Sequence, residues 1–150
     1  MKFLYDDGGR KDAGFSGNAR DCVARSISIA TGIPYGAVYG EINRLGSLER
    51  KSKNRKGKSH ARTGVHNPTF KKYMNNLGWV WTPTMFVGQG CKIHLREEEL
   101  PIGKLIVSVS KHITAVVDGV VHDTYDPSRD GSRCVYGYWK EPEIGEKDEE

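Results

Sequence analysis

The sequence predicts an α+β fold in which N-terminal helices pack on a C-terminal antiparallel sheet. Up to about residue 78 the apolar residues recur at helical spacing, and from Trp79 onward they alternate with polar ones. Three helical segments are followed by four or five strand-like segments, and this order is typical of α+β proteins. The chain has 150 residues, 37% of them hydrophobic, which is enough for one domain to bury its own core.

The first helix is expected to lie at the centre of the fold. Residues 18–21 include good N-cap types, and Gly32 is the left-handed residue that ends a helix. Val23, Ile27 and Ala30 form an apolar stripe, and further apolar neighbours widen it to most of the helix circumference. A helix with so little polar surface is buried.

The other elements follow from turn and cap signals. A second helix opens at Pro34 and stops at Gly46, and a third opens at Asn67-Pro68 and stops at Gly78. Residues 1–17 read as an irregular entry segment in which a short strand is an option. Alternating segments predict strands within residues 79–87 (interrupted by a proline), 104–110, 112–117, 120–125 and 134–139.

Charge is spread unevenly along the chain. The net charge is +4, but residues 140–150 hold six acids and two lysines, so residues 1–139 carry +8. We therefore predict one domain over 1–139 and an acidic, disordered tail over 140–150. Residues 50–62 contain seven Lys or Arg and no acid, so they form either a solvated loop or a weak contact for nucleic acid or another acidic partner.

Composition excludes several classes of protein. No apolar run approaches the ~20 residues of a membrane span, and the N-terminus lacks a secretion signal, so we expect a cytoplasmic protein. Three cysteines without a CxxC pair argue against a disulfide framework and a structural zinc site. Cys91 and His94 have metal-like spacing but no second pair, so they are interpreted as incidental. We predict no metal and no cofactor.

The most informative segment is a predicted hairpin. Asp118-Gly119 is a two-residue turn, so every cross-strand pair of residue numbers sums to 237. This register places His112, Thr114 and Asp123 on one face, with His112 and Asp123 as diagonal neighbours roughly 5–8 Å apart. A one-residue slip would instead select Asp126.

Cys22 gives that pair a second interpretation besides a structural one. A thiol in the first turn of a helix feels the positive end of the helix dipole, which favours the thiolate. An imidazole facing it, oriented by a carboxylate, completes a nucleophile, base and orienting residue. The alternative is that Cys22 is a small core residue and His112–Asp123 a polar pair of the hairpin.

The stretches "DCVARSISIATG", "HITAVVDG" and "DTY" resemble papain-like cysteine peptidases, especially small bacterial and phage-borne members related to bacteriocin leader peptidases. The resemblance implies Cys22 as nucleophile, His112 as base and Asp123 as orienting residue. It also implies an oxyanion hole built from the Cys22 backbone N–H and an upstream side chain. The family usually has Gln about six residues before the cysteine. That position is Ser16 here, and Asn18 is the nearest amide.

Two functions follow as hypotheses. The first is a cysteine hydrolase or acyl transferase that acts on an amide or isopeptide bond of a protein or peptide substrate, through a thioester. The second is an inactive papain-like fold that binds nucleic acid or an acidic protein through residues 50–62.

Overall fold

The computed structural model describes residues 1–17, 19–50 and 57–142. Asn18, most of the basic segment (51–56) and the end of the acidic tail (143–150) lie outside the described residues. The predictions made for them stay predictions. The helices are α1 (Cys22–Thr31), α2 (Tyr35–Ser47) and α3 (Asn67–Asn76). The strands are β1 (Lys2–Tyr5), β2 (Val80–Pro83), β3 (Lys104–Val109), β4 (His112–Val117), β5 (Val120–Asp123) and β6 (Val135–Lys140).

The α+β prediction is confirmed, but the sheet is mixed rather than antiparallel. Its order is β1-β5-β4-β3-β6-β2, with β1 parallel to β5 and the other neighbours antiparallel. The expectation of a purely antiparallel sheet is wrong because the entry segment supplies an edge strand. All three helices lie between β1 and β5 in the chain, and a parallel pair needs such a long crossover.

Helix α1 ends as predicted and begins differently. Gly32 has a φ of 78° and its N–H donates to the Ser28 carbonyl at 2.9 Å, so the left-handed cap is confirmed. The helix starts at Cys22, and Asp21 makes no side-chain capping bond. Asp21 does not cap the helix as expected, because its carboxylate binds Arg10, Arg25 and Tyr35 instead.

The core has two parts, one on each face of the sheet. The first packs the three helices on residues such as Ile106, Ala115 and Trp139. The second lies on the opposite face, around Val107, Val116 and Val121 with Leu95 and Leu100 covering it. The central position predicted for α1 is confirmed, since Ala24, Ile27 and Ala30 are fully buried.

Two glycines of α2 test how closely this helix packs. A Cβ on Gly46 would lie 2.1 Å from the Ser59 carbonyl oxygen, whereas a Cβ on Gly40 would meet nothing within 4 Å. We expect Gly46→Ala to lower the free energy of unfolding by about 1–3 kcal/mol through overpacking. Gly40→Ala should raise it by about 0.5–1 kcal/mol through helix propensity. Urea unfolding of both variants measures this, and equal effects would contradict the close α2–Ser59 contact.

One prediction about the cysteines is wrong. Cys91 and Cys134 form a disulfide, and Cys22 is the free cysteine among the three. The segment before residue 95 runs antiparallel to the start of β6, with an isolated bridge between His94 and Cys134. This long-range pairing brings together two cysteines 43 residues apart, which their spacing in the sequence did not reveal.

In the described part of the chain, no helix combines the length and the apolar character that a membrane span requires.

Candidate catalytic site

The predicted hairpin register is confirmed. Val117 pairs with Val120, Val116 with Val121 and Ala115 with His122, so each pair sums to 237. Both turn residues have positive φ, 47° at Asp118 and 81° at Gly119, as a type I′ turn requires.

The register brings His112 and Asp123 into direct contact. His112 Nε2 lies 2.7 Å from Asp123 Oδ2, and both side chains are buried. The Thr114 hydroxyl donates to the same oxygen at 2.7 Å, and the Thr124 N–H donates to Oδ1 at 2.7 Å. Asp123 is therefore held in one orientation from three directions. Asp126, the residue that a slipped register would select, instead accepts a hydrogen bond from the Ser128 N–H at 2.9 Å.

Cys22 reaches this pair from the start of α1. Its thiol lies close enough to the His112 side chain and to the Ile113 backbone for both to lower its pKa. Because Nε2 of His112 faces Asp123, Nδ1 is the nitrogen available to the thiol. The Ser26 hydroxyl donates to the Ile113 carbonyl at 3.1 Å, which ties the next turn of α1 to β4. Cys22 is partly exposed, so a substrate can approach it.

The electrostatics favour a thiolate–imidazolium pair. Burial alone would raise the pKa of Cys22, but hydrogen bonds from His112 and Ile113 and the charges of His112 and Arg25 lower it overall. Burial alone would lower the pKa of His112, but its contacts with Asp123 and Cys22 raise it to about 9. Burial opposes ionisation of Asp123 too, yet His112 and Thr114 hold its pKa below the usual 3.8.

This pair predicts a specific pH dependence of stability. The lowered pKa of Cys22 contributes stability that is complete above the ordinary 9.0 and is lost as pH falls. The raised pKa of His112 contributes stability that is complete below the ordinary 6.5 and is lost as pH rises through about 9. Between those values the two contributions change with pH in opposite directions, so they offset each other. The pair should therefore make the free energy of unfolding depend less on pH between 6.5 and about 9 than the raised pKa of His112 alone would.

In Cys22→Ser only the pKa of His112, still raised by Asp123, contributes to this pH dependence. Its unfolding free energy should decline above pH 6.5, at a slope of up to about 1.4 kcal/mol per pH unit. Urea unfolding at several pH values, followed by tryptophan fluorescence, compares the two proteins. Parallel profiles would show that no thiolate–imidazolium pair exists in the folded state.

Sequence reasoning missed a buried network around the residue before the nucleophile. Asp21 is 1% exposed and contacts Arg10 Nε at 3.2 Å, the Tyr35 hydroxyl at 2.7 Å and the Arg25 guanidinium. Arg25 also lies 3.6 Å from Asp123 Oδ1, so one arginine links the start of α1 to the third site residue. The signal available in the sequence was Asp21 and Arg25 at i, i+4 on a helix whose other residues are mostly apolar.

The segment before Cys22 is held by two arginines. Arg10 donates to the Gly17 carbonyl at 2.5 Å, and Arg62 donates to the Ser16 carbonyl at 3.1 Å. A pocket of about 390 Å³ lies here, lined by Ala19, Arg20, Arg62 and Thr63. The predicted oxyanion donor Asn18 falls in this segment but outside the described residues.

Part of the basic segment serves the fold itself. Lys58 donates to the Ser47 carbonyl at 3.0 Å, and the Arg62 carbonyl accepts from the Arg20 N–H at 2.7 Å. These contacts attach the end of the basic segment to α2 and to the irregular residues just before α1.

Comparisons of the chain with protein-family models, with curated proteins and with solved structures find no match. The case for a function therefore depends on the geometry of the site.

Proposed function

We propose that the protein is a papain-like thiol hydrolase that cleaves an amide or isopeptide bond in a protein or peptide. The observation that carries the proposal is the position of His112, which is hydrogen-bonded to Asp123 and close enough to Cys22 to lower the pKa of the thiol. A structural histidine needs one such partner. An activated nucleophile needs both, in this order.

The chemistry follows from these three groups. The Cys22 thiolate attacks the carbonyl carbon, and the resulting oxyanion accepts hydrogen bonds from the Cys22 backbone N–H and, we propose, from Asn18. The C–N bond breaks as the His112 imidazolium gives its proton to the leaving amine, which leaves a thioester on Cys22. His112, now neutral, takes a proton from water, and the hydroxide attacks the thioester. The acid departs, and the proton retained on His112 restores the ion pair.

Attack on the thioester by an amine in place of water would make the protein an acyl transferase by the same residues. A cytoplasmic location also belongs to the proposal, since a reducing compartment keeps Cys22 as a thiol.

An activated ester tests the nucleophile without knowledge of the substrate. Incubation with p-nitrophenyl acetate should acetylate Cys22 and release nitrophenolate repeatedly, with the adduct mapped by mass spectrometry. Cys22→Ala should remove both signals. His122→Ala is the matched control, because His122 lies on neighbouring β5 and contacts Asp6 at 3.4 Å rather than the site. Acylation of Cys22 no faster than that of free cysteine would refute the proposal.

A peptide library then tests the bond class. Wild-type protein should generate new carboxyl termini that Cys22→Ala does not, detected by mass spectrometry. Acylation of Cys22 without any peptide cleavage would restrict the protein to non-peptide amides, esters or transfer.

Weak binding of an anionic partner through residues 50–62 stays a separate prediction. Retention on heparin that moderate salt abolishes would support it.

A further inference from the structure

A second group of reactive side chains lies away from Cys22, where the segment before residue 95 meets β6. Each of Cys91, His94 and Cys134 offers a ligand atom, and these atoms all lie within 4.8 Å of one another. The Cys91 sulfur is 3.6 Å from His94 Nε2. Two sulfurs and an imidazole nitrogen form a donor set suited to Zn²⁺.

The spacing fits tetrahedral coordination. Zinc bonds of about 2.3 Å to sulfur and about 2.0–2.1 Å to nitrogen, at a tetrahedral angle, place the two ligand atoms about 3.6 Å apart. The Cys91–His94 distance already has this value. The two sulfurs, bonded here as a disulfide, must separate to about 3.8 Å, and Cys134 must lie about 3.6 Å from the His94 nitrogen, from which it is now within 4.8 Å.

The ligands sit on a braced backbone. The Leu95 N–H donates to the Arg133 carbonyl at 2.8 Å, and the Val135 N–H donates to the Ile93 carbonyl at 2.8 Å. Leu95 and Val135 are fully buried, so they anchor both segments in the core. Loss of the disulfide would therefore leave His94 and Cys134 close together, with Cys91 two residues from the braced Ile93.

A carboxylate also supports His94 from behind. Glu99 Oε1 lies 3.3 Å from His94 Nδ1 and accepts the His94 backbone N–H at 3.2 Å. Arg96 lies 3.4 Å from the other Glu99 oxygen. A carboxylate on Nδ1 directs the lone pair of Nε2 toward the sulfurs, which is how proteins commonly orient a histidine that binds zinc.

We propose that Cys91, His94 and Cys134 bind one Zn²⁺ when the disulfide is reduced. Two molecules of a small thiol reduce the Cys91–Cys134 bond and are themselves joined as a disulfide, which leaves two protein thiols. Zinc then displaces the two thiol protons, which pass to solvent. Cys91 is exposed, so the fourth position faces solvent and takes water. The site is independent of the catalytic proposal, because Cys22 has no part in it.

Cobalt(II) is the spectroscopic probe for this site. Full-length Cys22→Ser protein, reduced and desalted without oxygen, should bind one equivalent of Co²⁺. A thiolate-to-cobalt charge-transfer band and the strong visible bands of tetrahedral cobalt should appear, and Zn²⁺ should displace both. Oxidised protein should show neither band.

Variants separate a metal site from a purely structural disulfide. His94→Gln keeps both cysteines and should bind cobalt at least ~10-fold more weakly, while His122→Gln should bind normally. Glu99→Gln should weaken binding by about 10- to 100-fold. Circular dichroism of the oxidised proteins checks that each variant folds.

Three results would overturn the proposal. They are a disulfide that resists reduction in the folded protein, reduced protein without a charge-transfer band, and unchanged cobalt affinity in His94→Gln.

Discussion

His112→Ala is expected to slow alkylation of Cys22 by iodoacetamide at pH 6 by roughly 10- to 100-fold. In the wild type, burial raises the pKa of Cys22, and the two largest effects that lower it are the hydrogen bond and the charge of His112. Without them burial raises that pKa, and at pH 6 a thiol of pKa near 8.5 is only ~0.3% ionised. A more basic thiolate is intrinsically more nucleophilic, and this offsets part of the decrease in rate caused by the smaller thiolate fraction.

The dependence of the alkylation rate on pH is the sharper test. The alkylation rate of wild-type Cys22 should rise less steeply between about pH 6 and 8 than that of His112→Ala, which should gain about tenfold per pH unit. Turnover of an activated ester should fall by about 10²–10⁴-fold in the same variant. The matched His122→Ala protein should follow the wild type in both assays. A wild-type profile that rises like an ordinary thiol would disprove the ion pair.

Asp21→Asn is expected to lower the free energy of unfolding by about 3 kcal/mol, because it leaves two largely enclosed guanidinium groups without their shared carboxylate. Arg25 is 12% exposed and Arg10 is 19% exposed, so water replaces the lost charge poorly. The Tyr35 hydroxyl keeps an oxygen partner in this variant, so the effect reports the ion pairs.

Asp12→Asn is the matched control, since Asp12 is exposed on the same entry segment and the change in charge is identical. Its unfolding free energy should stay within about 0.5 kcal/mol of the wild type. Urea unfolding measures both variants. A loss below 1 kcal/mol in Asp21→Asn would show that this network is dispensable.

The local elements were predictable because their signals are short-range. Gly32 ends α1, and Asp118-Gly119 forms the turn of the β4–β5 hairpin, as their conformational preferences require. Once the turn was known, the register selected Asp123 over Asp126 by arithmetic alone. That selection is confirmed by the 2.7 Å contact with His112.

Most of the missed features depend on contacts between distant parts of the chain. The parallel pairing of β1 with β5, the Cys91–Cys134 disulfide and the Asp21–Arg10 ion pair join residues whose spacing carries no local signal. For Asp21 the local signal was misleading. Aspartate is a good capping residue, but here its carboxylate forms ion pairs with Arg10 and Arg25 and does not cap the helix.

The sequence by itself determined which side chains of the hairpin share a face, because side chains alternate along a strand and the turn sets the register. It did not determine that Cys22 would lie next to His112 and Asp123. Helix α1 packs on the face of the sheet that carries Ile113 and Ala115, whereas His112 points to the other face, together with Val116 of the second core cluster. The tertiary structure brings Cys22 to His112 because each is the first residue of its element, and the two elements begin at the same end of the sheet.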